Sequence, residues 1–399
     1  MDATKRLFES LSFFLLAIYF ILFPFGQLLR IPIIFLGRNL TLHPIDIIAN
    51  LSIPAVIFAR YKFPKFTRFV GAFFIISLFS TMLSFFYFDS VSVIIGSFYL
   101  FRLFSYFIFF VLVYNLIKKG KLKKDKVLDI LVFTALATAI FGWIQYFFVF
   151  DIRSLQYIGW DDHLGRIVGT FFDPGFIGII LLLGFIVTSV RFLENKTLQY
   201  FLGSLIFMAT IAFTYSRATY IAFFVVLVFI ALRKKIIKYF VILASIFLVL
   251  LILVPRIASE GTRLERTASI FARVENYQQT LEIIKRNPLF GVGFNNLCPA
   301  RISLFKGDVE SHACSGSDSS VLLIFSTTGI IGLIVFLYVV YKIYLNLEKG
   351  TYGLIFMSSS VAIFSHSIFV QSLFYPWVMG WMGILLAVCL KKLRSKSNF

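Results

Sequence analysis

Acidic residues are scarce in this chain, with 19 Asp and Glu against 38 Lys and Arg, and charged residues of all kinds make up only 14%. No stretch is polar enough over a sufficient length to form a separate soluble domain, so one domain is expected over 1–399. Histidine is equally thin. His43, His163, His312 and His366 are scattered, with no HExxH or CxxC pairing, so neither a metal nor another cofactor is expected. No nucleophile elbow, P-loop or dinucleotide fingerprint has a plausible context, and Gly291-x-Gly293 reads as a turn. Of three cysteines, Cys389 falls in the last apolar run. Cys298 and Cys314 share one loop, where they can pair in an oxidising compartment or remain separate thiols.

What the chain has in abundance is apolar length. Apolar residues make up 59%, and runs near the thickness of a bilayer, about 20 residues per helix, recur from end to end. They lie at roughly 11–29, 44–59, 69–88, 92–116, 127–149, 174–190, 198–213, 218–232, 239–254, 320–341, 351–369 and 373–390. In lipid each backbone polar group must find its partner within its own segment, so these runs predict helices. The fold class expected is an all-α, polytopic transmembrane bundle of about twelve spans. Leu11–Leu29 lacks a small-residue cleavage site and reads as a retained span.

Charge then sets the orientation. Alternate connections, counted with the span ends beside them, hold 24 Lys+Arg against 6 acids, while the others hold 13 of each. By the positive-inside rule the basic set, which includes both termini, is cytoplasmic. The net charge of +19 is therefore a topological signal, and nucleic acid is excluded as a partner. Lys dominates the inner set 18 to 6, whereas Arg dominates the outer set 11 to 2. A planar guanidinium grips phosphate or carboxylate, so part of that outer surplus points to an anionic ligand and part to salt bridges.

Two outer connections are long. One is 150–173; the other, 255–319, contains Phe271, Val274, Leu281 and Ile284 at near-helical spacing. They predict an amphipathic helix, ended by Asn287-Pro288 and placed as a lid over the bundle rather than on the membrane surface. Arg102 lies within a span, where an ionisable group faces the bundle interior, or else snorkels to the interface. Arg217, in Thr214-Tyr215-Ser216-Arg217-Ala218-Thr219, sits at headgroup depth among hydroxyls, suited to a phosphate or to a lipid headgroup.

Four segments together resemble the O-antigen ligase and polysaccharide polymerase family. Gly165-Arg166-Ile167-Val168-Gly169-Thr170-Phe171-Phe172-Asp173-Pro174 is similar to the family's segment opening a span, and Ser216-Arg217-Ala218 to its Ser-Arg-small motif. Arg273 followed by Asn287-Pro288-Leu289-Phe290-Gly291-Val292-Gly293 resembles its Arg, helix, Pro-x-x-Gly-x-Gly arrangement. Thr328-Gly329-Ile330-Ile331-Gly332 resembles its Gly-x-x-Gly, and the likeness covers about 165–340. Where the family carries a His-Asn pair this chain has Asp318-Ser319, and the nearest histidine is His312.

The resemblance implies metal-independent glycosyl transfer at the outer face of a bacterial inner membrane, in cell-surface polysaccharide assembly. The donor would be an oligosaccharide on polyprenyl diphosphate and the acceptor a glycan, lipid or protein, with membrane lipid around both. Arg217, Arg273, Arg166 and Arg102 would grip the departing diphosphate. Asp318 or His312, with Glu310 as a substitute, would take the acceptor proton. Polymerase is favoured over ligase because the His-Asn pair is missing. The competing class is a transporter or flippase of lipid-linked glycans, for which inverted repeats are expected and none is seen.

Overall fold

The computed structural model describes residues 2–255, 260–263, 267–306 and 316–391. The helices in chain order are α1 (Asp2–Leu22), α2 (Pro44–Phe58), α3 (Thr67–Ser84), α4 (Ser90–Lys118), α5 (Lys124–Phe148), α6 (Pro174–Asn195) and α7 (Leu198–Ala212). They continue with α8 (Arg217–Lys234), α9 (Ile237–Leu253), α10 (Ala268–Arg286), α11 (Leu297–Phe305), α12 (Ser320–Leu345), α13 (Thr351–His366) and α14 (Pro376–Cys389). Every predicted apolar run coincides with a helix to within a few residues, and α10 and α11 occupy the large connection. Six segments are long and apolar enough to cross a bilayer: Ala3–Leu29, Thr67–Ser84, Ser90–Lys118, Lys124–Phe148, Pro174–Asn195 and Ser320–Leu345. The chain is a multi-pass membrane protein.

One element departs from the all-helical expectation. Ile31–Phe35 and Arg38–Leu42 form an antiparallel hairpin, β1 and β2, with Ile31 opposite Leu42. Its two-residue turn has both φ values positive, Leu36 at 49° and Gly37 at 74°, the handedness that matches strand twist.

α6 is the axis of the bundle, buried nearly throughout from Pro174 to Val190 and packed by α5, α7, α8 and α13. α4 buries its second half against α2 and α14. The segments assigned to the cytoplasm gather at one end of this bundle. Glu9 pairs with Lys119 and with Lys121 at 2.7 Å, Arg191 pairs with Asp125 at 2.7 Å, and Lys124 pairs with Glu348. At the other end, the connection 150–173 meets the α7–α8 turn, with Ile167 N donating to Phe213 O at 2.9 Å.

Of the predicted face of α10 only Ile284, 5% exposed, is buried. Phe271 is 70% exposed, Val274 45% and Leu281 44%, whereas Thr280 and Ile283 are fully buried. α10 packs on α11 and α12 through Asn276, Thr280 and Ile283, because Asn276 and Thr280 carry hydrogen bonds into that interface.

Candidate active site

Two of the glycine motifs meet. Gly329, at φ +67°, interrupts α12, so the amides of Ile330 and Ile331 cannot reach the carbonyls of Ser326 and Thr327 one turn back. The segment after α10 takes over both sets of groups. Ile330 N donates to Pro288 O at 2.8 Å and Ile331 N to Leu289 O at 3.4 Å. In exchange, Val292 N donates to Ser326 O at 2.9 Å and Gly293 N to Thr327 O at 3.0 Å. Ser80 on α3 closes the junction, donating to Thr327 O at 2.7 Å. Non-helical backbone at this depth is tolerated because protein surrounds it and every freed group is paired. The exchange fixes α10 and α11 over the mouth of α12.

Arg217, Arg273 and Asp318 converge there. Ser216 caps α8 and sets Arg217 at its first turn. Arg273 on α10 acts electrostatically on Arg217, Tyr277 and His366. Among the described residues Arg273 has no ion-pair partner. Asp318 lies just before the Ser319 cap of α12, and its amide donates to Asn276 Oδ1 at 3.1 Å. Burial pushes the Tyr277 hydroxyl up; the Asp318 charge adds to that and Arg273 opposes it, so all three share one polar cluster. His312 and Glu310 lie outside the described residues.

Two members of this cluster escaped sequence reasoning. Arg301, 2% exposed on α11, donates to Gly316 O at 2.9 Å, Thr280 Oγ1 at 2.9 Å and Asn276 O at 3.2 Å. Burial lowers its guanidinium from the ordinary value while the Asp318 charge raises it. The signal was present as a lone arginine in the apolar run Leu297–Phe305. His366 ends α13, fully buried, with Nδ1 on Ser372 Oγ and Nε2 3.3 Å from Thr219 Oγ1. Thr219 Oγ1 in turn donates to Ser216 Oγ at 2.9 Å. The hydroxyl–imidazole chain ties the base of Arg217 to the 367–375 connection.

Arg166 stands beneath this site as a clasp. Its Nε donates to Thr214 O at 3.0 Å and its Nη2 to Tyr215 O at 3.2 Å, holding the turn that presents Ser216 and Arg217. We expect Arg166→Ala to lower activity at least tenfold and to destabilise the fold by about 1–3 kcal/mol for each carbonyl left unpaired. Arg166→Lys should restore little, since one ammonium cannot reproduce a planar two-point fork. Thermal melting beside turnover at saturating substrate separates the two effects.

Arg102 is elsewhere. It pairs with Asp46 at 3.0 Å, donates to Thr41 O at 2.9 Å and lines a separate polar chamber with Arg30, His43 and Trp160. Arg30 stacks over Trp160 at 5.8 Å. Burial, aided by the charges of Arg102 and Arg30, holds His43 down at about 3, so its imidazole is neutral. The four arginines expected to act together thus fall into an electrostatically coupled pair, a clasp and a distant ion pair.

The scatter of histidines in sequence also hid a convergence. Asp161, His163 and Asp173 bring ligand-type atoms within 4.8 Å of one another, an arrangement that could hold a cation. One oxygen of Asp173 already caps α6, accepting from Gly175 N and Phe176 N at 2.7 Å each. Burial raises that carboxyl above its ordinary value. Cys298 is disulfide-bonded, Cys389 is free, and Cys314 lies outside the described residues.

Residues 202–337 match the family model for O-antigen ligase. The matched segment holds Arg217, Arg273, Asp318 and both glycine motifs, and excludes Arg102, Arg166 and His366. No curated protein matches the chain.

Proposed function

We propose that this chain, a member of the O-antigen ligase family through residues 202–337, is a membrane glycosyltransferase of cell-surface polysaccharide assembly. It transfers glycan from a polyprenyl diphosphate carrier to a glycan hydroxyl on the outer face, in about twelve spans with both termini inside. The observation that carries this reading is the approach of Arg217 and Arg273, two like charges gathered in the matched segment beside Asp318. Holding cations together costs energy that a bound anion recovers. A disulfide at Cys298 supports an outer, oxidising location for the 255–319 connection.

The chemistry balances as follows. The bond between the anomeric carbon and the diphosphate oxygen breaks, and its electron pair leaves with the diphosphate. The acceptor hydroxyl oxygen bonds the anomeric carbon, and its proton passes to the Asp318 carboxylate or to His312. Arg217 and Arg273 meet charge that grows as the bond breaks, so they stabilise the transition state more than the bound donor. Arginine cannot itself be the base, because it stays protonated.

Asp318→Asn and His312→Ala decide the base. The variant lacking the true base should lose about 10²–10⁴-fold in turnover and the other should stay near wild type. Equal, small losses would remove both from that role.

A ladder of repeat lengths from a single purified lipid-linked unit identifies a polymerase; a single transfer to a different acceptor identifies a ligase. We favour the polymerase. One observation favours the transporter reading: the polar chamber around Arg102 shares Leu103, Phe374 and Met379 with an apolar cavity reaching Tyr344 and Leu347 near the opposite end. Incubating detergent-solubilised protein with lipid-linked glycan, without any gradient, separates the two, since only an enzyme makes a new glycosidic bond.

A further inference from the structure

A pocket of about 480 Å³ lies at the end of the bundle where the basic connections gather. It is walled by the end of α8, the end of α12, the 347–350 connection, α13 as far as Met357, and Lys391. Arg233, Lys234, Lys349 and Lys391 meet there with a single acid, Glu348. That acid is already paired with Lys124, and among the described residues none of the four cations has an ion-pair partner. The start of α13 adds to the positive field. Gly350 precedes its first turn, no side chain caps it, and that turn holds no acid.

Membrane orientation does not require such a convergence, because basic residues spread over any connection serve it equally well. The apolar neighbour of the pocket gives the convergence a direction. Arg233, Tyr344, Leu347 and Met357 line both this pocket and an apolar cavity of about 500 Å³. Arg233 is the one charged residue among the described residues lining that cavity. Its guanidinium lies over Phe229 at 5.9 Å, and its Nη2 meets Met357 Sδ at 3.5 Å. Its charge therefore sits where the basic lining meets the apolar one. An anion with an apolar tail matches both parts. A soluble anion leaves the apolar side unused, and a zwitterionic lipid brings its own cation into a pocket that already holds four.

We infer that an anionic phospholipid of the adjoining leaflet binds here. Its phosphate meets Arg233, Lys234, Lys349 and Lys391, and an acyl chain lies along Phe229, Ile343 and Met357. By the orientation proposed above that leaflet is the cytoplasmic one, but the binding depends neither on that orientation nor on the transferase reading. Such a lipid braces α8, α12 and α13 at the end opposite Arg217 and His366.

The test is native mass spectrometry and thermal melting of the delipidated full chain in detergent. The probes are phosphatidylglycerol, phosphatidylcholine with the same acyl chains, and inorganic phosphate. Wild type should bind phosphatidylglycerol at least about tenfold more tightly than phosphatidylcholine, and only phosphatidylglycerol should raise its melting temperature. Lys349→Glu with Lys391→Glu should weaken phosphatidylglycerol at least about tenfold and leave phosphatidylcholine unchanged. The matched control is Lys62→Glu with Lys65→Glu, two exposed residues of the basic 60–68 connection that do not line the pocket; it should keep the preference. Ser360→Trp, which fills the apolar side, should also weaken phosphatidylglycerol; if that variant does not fold, the charge variants decide. Equal binding of the two lipids by wild type overturns the inference, as does an equal loss in the control. A melting shift with inorganic phosphate as large as that with phosphatidylglycerol would mean a soluble-anion site and overturn it too. So would complete displacement of phosphatidylglycerol by equimolar polyprenyl phosphate, which would assign the pocket to the carrier.

Discussion

Arg217→Ala is expected to lower turnover by at least about 10²–10³-fold while leaving insertion and folding intact, the range seen when one preorganised donor to a developing negative charge is lost. Arg217 starts α8, whose cap is Ser216, and the Thr219–His366 chain ties that cap to α13. Its removal also relieves a repulsion with Arg273. Arg217→Lys should recover part of the activity, since a point charge still meets the diphosphate but without the fork. The comparison requires product formation at saturating donor, alongside melting and size-exclusion profiles of the same preparations. Activity within a few-fold of wild type would remove Arg217 from the site.

Gly329→Ala should cost folding itself, by more than about 4 kcal/mol. A Cβ at Gly329 would lie 2.1 Å from Leu289 O and 2.2 Å from Leu289 C, both backbone atoms that no rotamer change can move. The φ of +67° adds about 1–2 kcal/mol for any L side chain. Relief requires separating the Pro288–Gly293 segment from α12, which would leave the amides of Ile330 and Ile331 unpaired within the bundle. Gly291→Ala should behave alike, with its Cβ 2.5 Å from Ser326 O at φ +70°. Gly71→Ala on α3 is the control, because nothing lies within 4 Å of its Cβ and a helical φ tolerates alanine. Yield of monodisperse protein and melting temperature in detergent give the readout. Wild-type behaviour of Gly329→Ala would mean that the exchange between the two motifs is not what holds the mouth of α12.

Much of the architecture is legible in the sequence. Apolar run length places a helix wherever lipid surrounds it, and each predicted run is one. The grouping of basic connections likewise anticipated which segments share an end, as the pairs of Glu9 with Lys121 and Arg191 with Asp125 bear out. Arg217 and Arg273 were legible through their resemblance to a known family, and Asp318 as the residue standing where that family carries histidine. Less legible was which face of α10 is buried. Its apolar residues pointed to Phe271, Val274, Leu281 and Ile284, of which only Ile284 is buried, and the packed face also carries Asn276 and Thr280, hydrogen-bonded to Arg301.

The chain's order alone determined the helices and the grouping of the basic connections at one end of the bundle. These follow from hydropathy and charge, which act on each segment against the same surrounding lipid. Tertiary structure alone decided that Arg102 meets Asp46 rather than Arg217, that Arg301 and His366 join the cluster, and that two distant glycine motifs exchange backbone hydrogen bonds. Those outcomes depend on pairs of groups far apart in the chain, and no local preference encodes which carbonyl a freed amide will find.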